Sequence, residues 1–190
     1  KQAVIEQMTS CIAHRGPDDD GFFVDDLVGL GMRRLSIIDL STGKQPISST
    51  DGRYYIFFNG EIYNYKEIKK ELGDYNFKTE SDTEVILAGF IKWGEGVLPR
   101  LRGMFTFAIY DTQEKKLFVA RDQFGIKPLY YWVGPTSHEA SQGGRILAYS
   151  SEIKSFLKLL GFKPEVNDAA VYNYLSYQYN PLKETFFKNI

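Results

Sequence analysis

The chain has 190 residues, 43% apolar and 25% charged, the balance of one globular domain with room for the start of a second. Its 23 basic and 24 acidic residues leave a formal charge of −1, which argues against a dedicated nucleic-acid surface, and no apolar run reaches the roughly 18 residues of a membrane span. One cysteine forbids an internal disulfide, and with two histidines it cannot complete a zinc site unaided.

No signal-peptide pattern opens the chain, so the expectation is a soluble cytoplasmic domain. The one excess is aromatic, with 13 Tyr and 14 Phe, which suits β layers with large buried side chains. Lys1 rather than Met stands first and helical text follows at once, which reads as a fragment or as a chain whose first residues are disordered.

In chain order, Val4, Ile5, Met8, Cys11 and Ile12 recur at helical spacing and predict an amphipathic helix over 2–12. The polar run 14–21 reads as a loop, 22–24 and 28–38 as strands, and 42–46 as another loop. Asp51-Gly52 predicts a turn, followed by a strand from Tyr54 that stops at Asn59-Gly60. Helices are predicted over 65–72, closed by Gly73, and over 81–93, closed by Gly94, the second opened by a Ser81/Glu84 capping box. Runs 104–110 and 117–120 carry apolar residues on both faces, as strands do between a helix layer and a second sheet. Strands at 129–133 and 146–150 flank a Ser/Gly-rich insertion at 134–144 that reads as an exposed hairpin tip. Helices are predicted at 152–160 and from 168. About eight short strands with grouped helices make this an α+β chain.

Four polar clusters fall at strand ends and loops, where functional residues concentrate. His14-Arg15-Gly16-Pro17-Asp18-Asp19-Asp20-Gly21 reads by composition as a solvated acidic turn, and its aspartates lack calcium-loop spacing. Arg33-Arg34 precede an apolar run; Arg34 suits either a structural ion pair or a ligand carboxylate. Asn59-Gly60 is a tight-turn signal, or a side-chain amide and a backbone N–H converging on an oxyanion. In Thr79-Glu80-Ser81-Asp82-Thr83-Glu84 the carboxylates favour a helix start, and equally suit a ligand ammonium.

Taken together and in this order, the clusters resemble the glutaminase domain of class II, N-terminal-nucleophile glutamine amidotransferases, of the asparagine synthetase type. The matching text is His14-Arg15-Gly16-Pro17-Asp18, Arg34-Leu35-Ser36-Ile37-Ile38-Asp39, Phe58-Asn59-Gly60-Glu61-Ile62-Tyr63-Asn64, Ser81-Asp82-Thr83-Glu84 and Arg102-Gly103-Met104-Phe105. It continues through Ala120-Arg121-Asp122-Gln123-Phe124-Gly125-Ile126-Lys127-Pro128-Leu129-Tyr130-Tyr131 and Ser150-Ser151-Glu152-Ile153-Lys154.

The resemblance implies an α+β four-layer αββα sandwich of two mainly antiparallel sheets, the N-terminal-nucleophile hydrolase fold. It implies a cysteine at the mature N-terminus that attacks the carboxamide of glutamine, with its own α-amino group as base. Carried over by motif, Asn59 and Gly60 form the oxyanion hole, Arg34 takes the α-carboxylate, and Asp82 with Glu61 and Gly60 holds the α-ammonium. Backbone around Leu35, Ser36, Ile37 and Ile38 lines the pocket. No metal or cofactor is expected in this domain. ATP and magnesium serve a C-terminal synthetase domain that amidates aspartate with the released ammonia. On this reading residues 1–160 are the glutaminase domain and 161–190 a linker and the truncated start of the synthetase domain. Partners are glutamine and that domain, with neither nucleic acid nor membrane, and the assembly is open between monomer and homodimer.

The nucleophilic cysteine is not among these residues: Cys11 lies within the first helix and reads as a small buried hydrophobe. His14 reads as shaping its loop and His138 as part of the exposed insertion. A second reading is a degenerate, non-catalytic domain of the same fold, serving as scaffold or glutamine-binding module. Against it stands the full set Arg34, Asn59, Gly60, Glu61 and Asp82.

Overall fold

A computed structural model describes residues 1–35, 39, 43–135 and 144–190. The positions Ser36, Ile37, Ile38 and His138 lie outside them, as does most of the expected hairpin tip. Two compact units make up the chain, Lys1–Pro128 and Leu129–Ile190.

The first unit opens with α1 (Gln2–Ser10), shorter than the predicted 2–12 because Cys11 already caps it and Ala13–Arg15 tightens into a 3₁₀ turn. The polar run 14–21 is therefore not one loop, since its last residues open β1 (Asp19–Val24). This strand pairs antiparallel with β2 (Gly29–Arg34), and Asp25 closes the turn by accepting the N–H groups of Leu27 and Val28. Gly29 and Gly31 let α1 lie close on this hairpin: a Cβ there would stand 2.8 Å from Ile5 and 2.5 Å from Thr9. Arg34 thus ends β2, where the sequence pattern had it inside a strand read over 28–38.

A four-stranded antiparallel sheet follows, in the order β3 (Ile47–Ser48), β4 (Tyr54–Ile62), β5 (Gly103–Asp111), β6 (Lys116–Arg121). The strand at Tyr54 does not stop at Asn59-Gly60. Both residues stay in the ladder, opposite Thr106 and Phe105, and the Asn-Gly turn signal is overridden by nine residues of pairing. Alternation then assigns the faces. Ile56, Phe58 and Ile62 of β4, with Phe105, Phe107 and Ile109 of β5, turn to one side and join Ile68, Leu72, Val85, Ile86 and Leu87 in the main core. Burying each such side chain contributes about 1.5–3 kcal/mol. The other face meets the β1–β2 hairpin: Phe23 packs on Tyr55 at 4.3 Å and on Tyr110 at 5.6 Å between ring centroids.

The helices of the main core are α2 (Tyr65–Leu72) and α3 (Asp82–Trp93), ended by Gly73 and Gly94 at φ 43° and 58°. Ser81 caps α3 by accepting the Thr83 N–H at 3.2 Å. The expected capping box is only half made, because Glu84 turns away to accept the N–H groups of Lys78 and Thr79. The layers of this unit run α1, β1–β2, β3–β6, α2–α3. It is an α+β αββα sandwich, and it explains why β5 is apolar on both faces.

The second unit contains the antiparallel pair β7 (Tyr130–Pro135) and β8 (Arg145–Ser150), so Gly134 belongs to a strand and not to the insertion. The helix predicted at 152–160 is a 3₁₀ segment, Ile153–Lys158. It shares an aromatic cluster in which Phe162 meets Trp132 and Phe156 at 5.4 and 5.8 Å. Asn167 caps α4 (Asp168–Tyr177). Among the described residues, no helix is long and apolar enough to cross a membrane.

Candidate functional site

The site grows from the edge of β4 that β5 does not cover. Backbone N–H groups of alternate residues point to the same edge of a strand. On this edge the Phe58 N–H donates to Gln45 Oε1 at 2.7 Å, and the Ile62 N–H donates to Asp82 Oδ2 at 3.0 Å. Gly60 lies between them, so its N–H points the same way, onto the cavity that Gly60 lines. Its ladder partner Phe105 is engaged elsewhere, donating to Asp122 Oδ2 at 3.1 Å and accepting the Asp122 N–H at 2.7 Å. Only glycine fits here. A Cβ would stand 2.1 Å from the Met104 carbonyl oxygen and 2.7 Å from Phe105 Cα, and φ is 158°.

Asn59 precedes it and points to the face opposite the main core. There a guanidinium nitrogen of Arg15 donates to Asn59 Oδ1 at 2.6 Å. A guanidinium has only donors, so the amide atom it meets is the oxygen, and Nδ2 is left as the other end. That Nδ2 is buried and, among the described residues, has no hydrogen-bond partner. An orphaned buried donor costs about 1–3 kcal/mol. The site thus brings together two donors from adjacent residues, the Asn59 Nδ2, which meets no acceptor among the described residues, and the Gly60 N–H, which points onto the same cavity.

Charge is arranged around them. Arg34, at the end of β2, is buried and donates to the Asp39 carbonyl oxygen at 2.7 Å. The Asp39 carboxylate accepts the Glu80 N–H at 2.9 Å, tying this region to the start of α3. Asp82, the first residue of α3, is 4% exposed. Burial pushes its carboxyl above the usual range, the N–H groups of Ile62 and Thr83 oppose the rise, and the Glu61 charge adds to it. A cation entering the site would reverse that shift. Arg33 donates to the Gly16 and Pro17 carbonyls at 2.8 and 3.3 Å and to Asp20 at 3.0 Å, which holds the 16–20 segment and so delivers Arg15.

Arg34, Leu35, Asn59, Gly60, Glu61 and Asp82 all line one cavity of about 140 Å³. Ser36, Ile37 and Ile38 lie outside the described residues. The same cavity is lined by eight further residues to which the sequence assigned no substrate contact, among them Arg15, Gln45, Thr83 and Lys127. Arg15 and Lys127 stood in quoted motifs, but nothing in their spacing says that they face Asn59 and Gly60. Gln45 carried no signal, since its task is the Phe58 N–H, a contact made through the fold. His14 is exposed and does not line the cavity, and neither does Cys11, whose N–H is spent on the Gln7 carbonyl at the end of α1. Among the described residues, no group of three or more His, Cys, Asp or Glu side chains is placed to hold a metal ion.

The glutamine amidotransferase domain family matches this chain over residues 1–190. The chain is 43% identical over 188 residues to asparagine synthetase [glutamine-hydrolyzing] 1 of Bacillus subtilis, covering 97% of this chain and 28% of that protein. Against asparagine synthetase [glutamine-hydrolyzing] 2 of the same organism it is 45% identical over 152 residues, 80% of this chain and 19% of the relative. Amidase chry2 of Gibberella zeae is 43% identical over 171 residues, 87% of this chain and 24% of that protein. The chain spans a fifth to little more than a quarter of these relatives. A cavity that gathers two adjacent donors, a buried arginine and a buried carboxylate, together with this match along its whole length, identifies the chain as a member of the glutamine amidotransferase domain family.

Proposed function

We propose that this domain hydrolyses glutamine to glutamate and ammonia, and that the ammonia serves an ATP-dependent amidation, of aspartate, in a further domain of a longer protein. The names and lengths of the relatives support that wider reading. Residues 1–160 are then the glutaminase, and 161–190 lead into the synthetase domain. ATP and magnesium belong to that second domain, and hydrolysis of glutamine needs neither. The enzyme works in the cytoplasm.

In this reading Arg34 pairs with the α-carboxylate of glutamine and Asp82, beside Glu61, with its α-ammonium. Both are buried, so each would meet an oppositely charged group of the amino acid at short range and away from bulk water, where such charge-assisted hydrogen bonds are strong. The side-chain carboxamide then reaches the Asn59–Gly60 edge. A cysteine thiolate supplied by the mature N-terminus adds to the carboxamide carbon, and its α-amino group takes the thiol proton. The carbonyl π pair moves to oxygen, where Asn59 Nδ2 and the Gly60 N–H donate to the developing negative charge. Collapse of that adduct breaks the C–N bond, and the departing nitrogen takes the proton from the amine and leaves as ammonia. Water then hydrolyses the thioester to glutamate and frees the thiol.

The observation that carries this reading is the unpaired Asn59 Nδ2, oriented by Arg15 and buried beside Gly60. A scaffold gains nothing from an unsatisfied donor, whereas an enzyme that meets an oxyanion there uses it in the transition state. The test measures glutamate release by the 190 residues and by the full-length protein with its native N-terminus. Release by the full-length protein, abolished when its first cysteine becomes alanine, is the expected result. Release by the 190 residues that Cys11→Ser stops would refute the assigned nucleophile, and a silent full-length protein would favour the scaffold.

A further inference from the structure

Two donors can stabilise an oxyanion only if both are held in place, and the strand that backs them, β5, is bonded near its start by Asp122. Gly60 and Asn59 face Phe105 and Thr106 across the ladder. Phe105 is gripped on both its backbone groups by Asp122, as described above. Thr106 donates from its hydroxyl to the Lys127 carbonyl at 3.2 Å, and the Lys127 N–H returns to Asp122 Oδ2 at 3.1 Å. The other carboxylate oxygen of Asp122 accepts the N–H groups of Phe124 and Ile126 at 3.1 and 2.9 Å.

Asp122 is 5% exposed, so a carboxylate has been drawn out of water to accept four backbone N–H groups. An ionised carboxylate suits this, because it offers about four acceptor positions and no donor. Burial raises its proton affinity, and the four N–H groups outweigh that and hold it ionised. Its reach is unusual for a turn-forming aspartate. Such a residue normally bonds two positions ahead, while this one also bonds back to Phe105, 17 residues earlier and directly behind Gly60.

We infer that Asp122 is a positioning residue for the reaction: it fixes β5 at Phe105, and through it the placement of the Asn59–Gly60 donor pair. The inference rests on the reading of that pair as the oxyanion donors. Asp122 touches no part of the substrate. Its removal should therefore leave binding of glutamine unchanged and slow the chemical step, as small misplacements of catalytic groups do.

The experiment uses the full-length protein with its native N-terminus and reads glutamate release, thermal melting and glutamine KM. Asp122→Asn keeps the shape but replaces an acceptor with an NH₂ that faces backbone N–H groups. The expected result is a ten- to hundred-fold lower kcat with KM within twofold, and a smaller fold-loss when Asp122→Asn is added to Asn59→Ala, where only the Gly60 donor is left to misplace. Arg121→Ala separates this from loosening of the loop. Arg121 donates to the Gly125 and Lys127 carbonyls and makes no bond to Phe105. Its loss should lower the melting temperature and spare kcat. Should Asp122→Asn fail to fold, Thr106→Val decides, with a several-fold lower kcat at constant KM expected. A folded Asp122→Asn protein with wild-type kcat, or losses that multiply with those of Asn59→Ala, overturns the inference. So does wild-type kcat in Thr106→Val if that variant must decide. Wild-type kcat in Asn59→Ala itself overturns the oxyanion reading beneath it, which is how the two failures are told apart.

Discussion

Arg15 donates to Asn59 Oδ1 at 2.6 Å, and that bond decides which end of the Asn59 amide faces the cavity. Without it the amide could rotate and offer an oxygen where a donor is needed. Arg15→Ala should therefore lower kcat about ten-fold or more and change KM little. Adding it to Asn59→Ala should cost nothing further, because both act through one amide. Multiplicative losses in the double variant, measured as glutamate release, would separate the two residues.

Asn59→Ala removes the donor itself. Its kcat should fall by about 10²–10³, as for other single oxyanion donors, with a far smaller change in KM. Synthesis supplied with free ammonia should continue in the full-length protein, since that route does not need the glutaminase site. An equal loss in both assays would sink the assignment.

Arg34→Ala should raise KM for glutamine by ten-fold or more, in line with the roughly 1.5–3 kcal/mol of a charged hydrogen bond. Arg34 also donates to the Asp39 carbonyl, so its loss should lower the melting temperature as well. A KM within twofold of wild type would show that the α-carboxylate is held elsewhere.

Asp82→Asn separates recognition from folding. Asparagine keeps an oxygen for the Ile62 N–H, and Ser81 still caps α3. Burial raises the Asp82 carboxyl, so its ionised form opposes folding of the unliganded protein. A raised carboxyl pKa contributes stability that is full below the unfolded value and is lost as pH rises through the folded one. At pH 7 the unliganded Asp82→Asn protein should melt at or above the wild type, and that gain should fade on acidification. Glutamine KM should rise at least ten-fold. A strongly lowered melting temperature with normal KM would mean that Asp82 serves only the helix start.

Asp111 reports on acid stability. The Arg53 guanidinium, bonded to it at 2.6 Å, holds its carboxyl down to about 2, with the N–H groups of Glu114 and Gln113 assisting. A depressed carboxyl contributes stability above its unfolded value, and that contribution is lost as pH falls through the folded one. Wild-type melting should therefore drop between about pH 5 and pH 2 by more than that of Asp111→Asn. Parallel curves would assign the acid sensitivity to other carboxylates.

Local chemistry was enough for the punctuation of this chain. Gly73 and Gly94 end helices because a residue at positive φ stops a helix whatever surrounds it, and Ser81 caps α3 with a hydroxyl of its own. The two-faced apolar text of β5 foretold its place between layers, since both faces must leave water at once. The ordered motifs brought Arg34, Leu35, Asn59, Gly60, Glu61 and Asp82 into view as candidates, and these six share one cavity.

Tertiary structure decided the rest, wherever a partner lies far along the chain. Asn59-Gly60 carries a turn signal worth little beside nine residues of pairing with β5, so the strand runs on and the amide becomes a wall of the cavity. Glu84 had a ready local partner in a capping box and instead satisfied Lys78 and Thr79, which the fold had left without acceptors. Arg15 reaches across 44 residues to Asn59, and Asp122 back across 17 to Phe105. Hydrogen bonds of that span follow from how the layers stack. Periodicity records which face of an element is buried, and only the packed layers determine which residue waits on the other side.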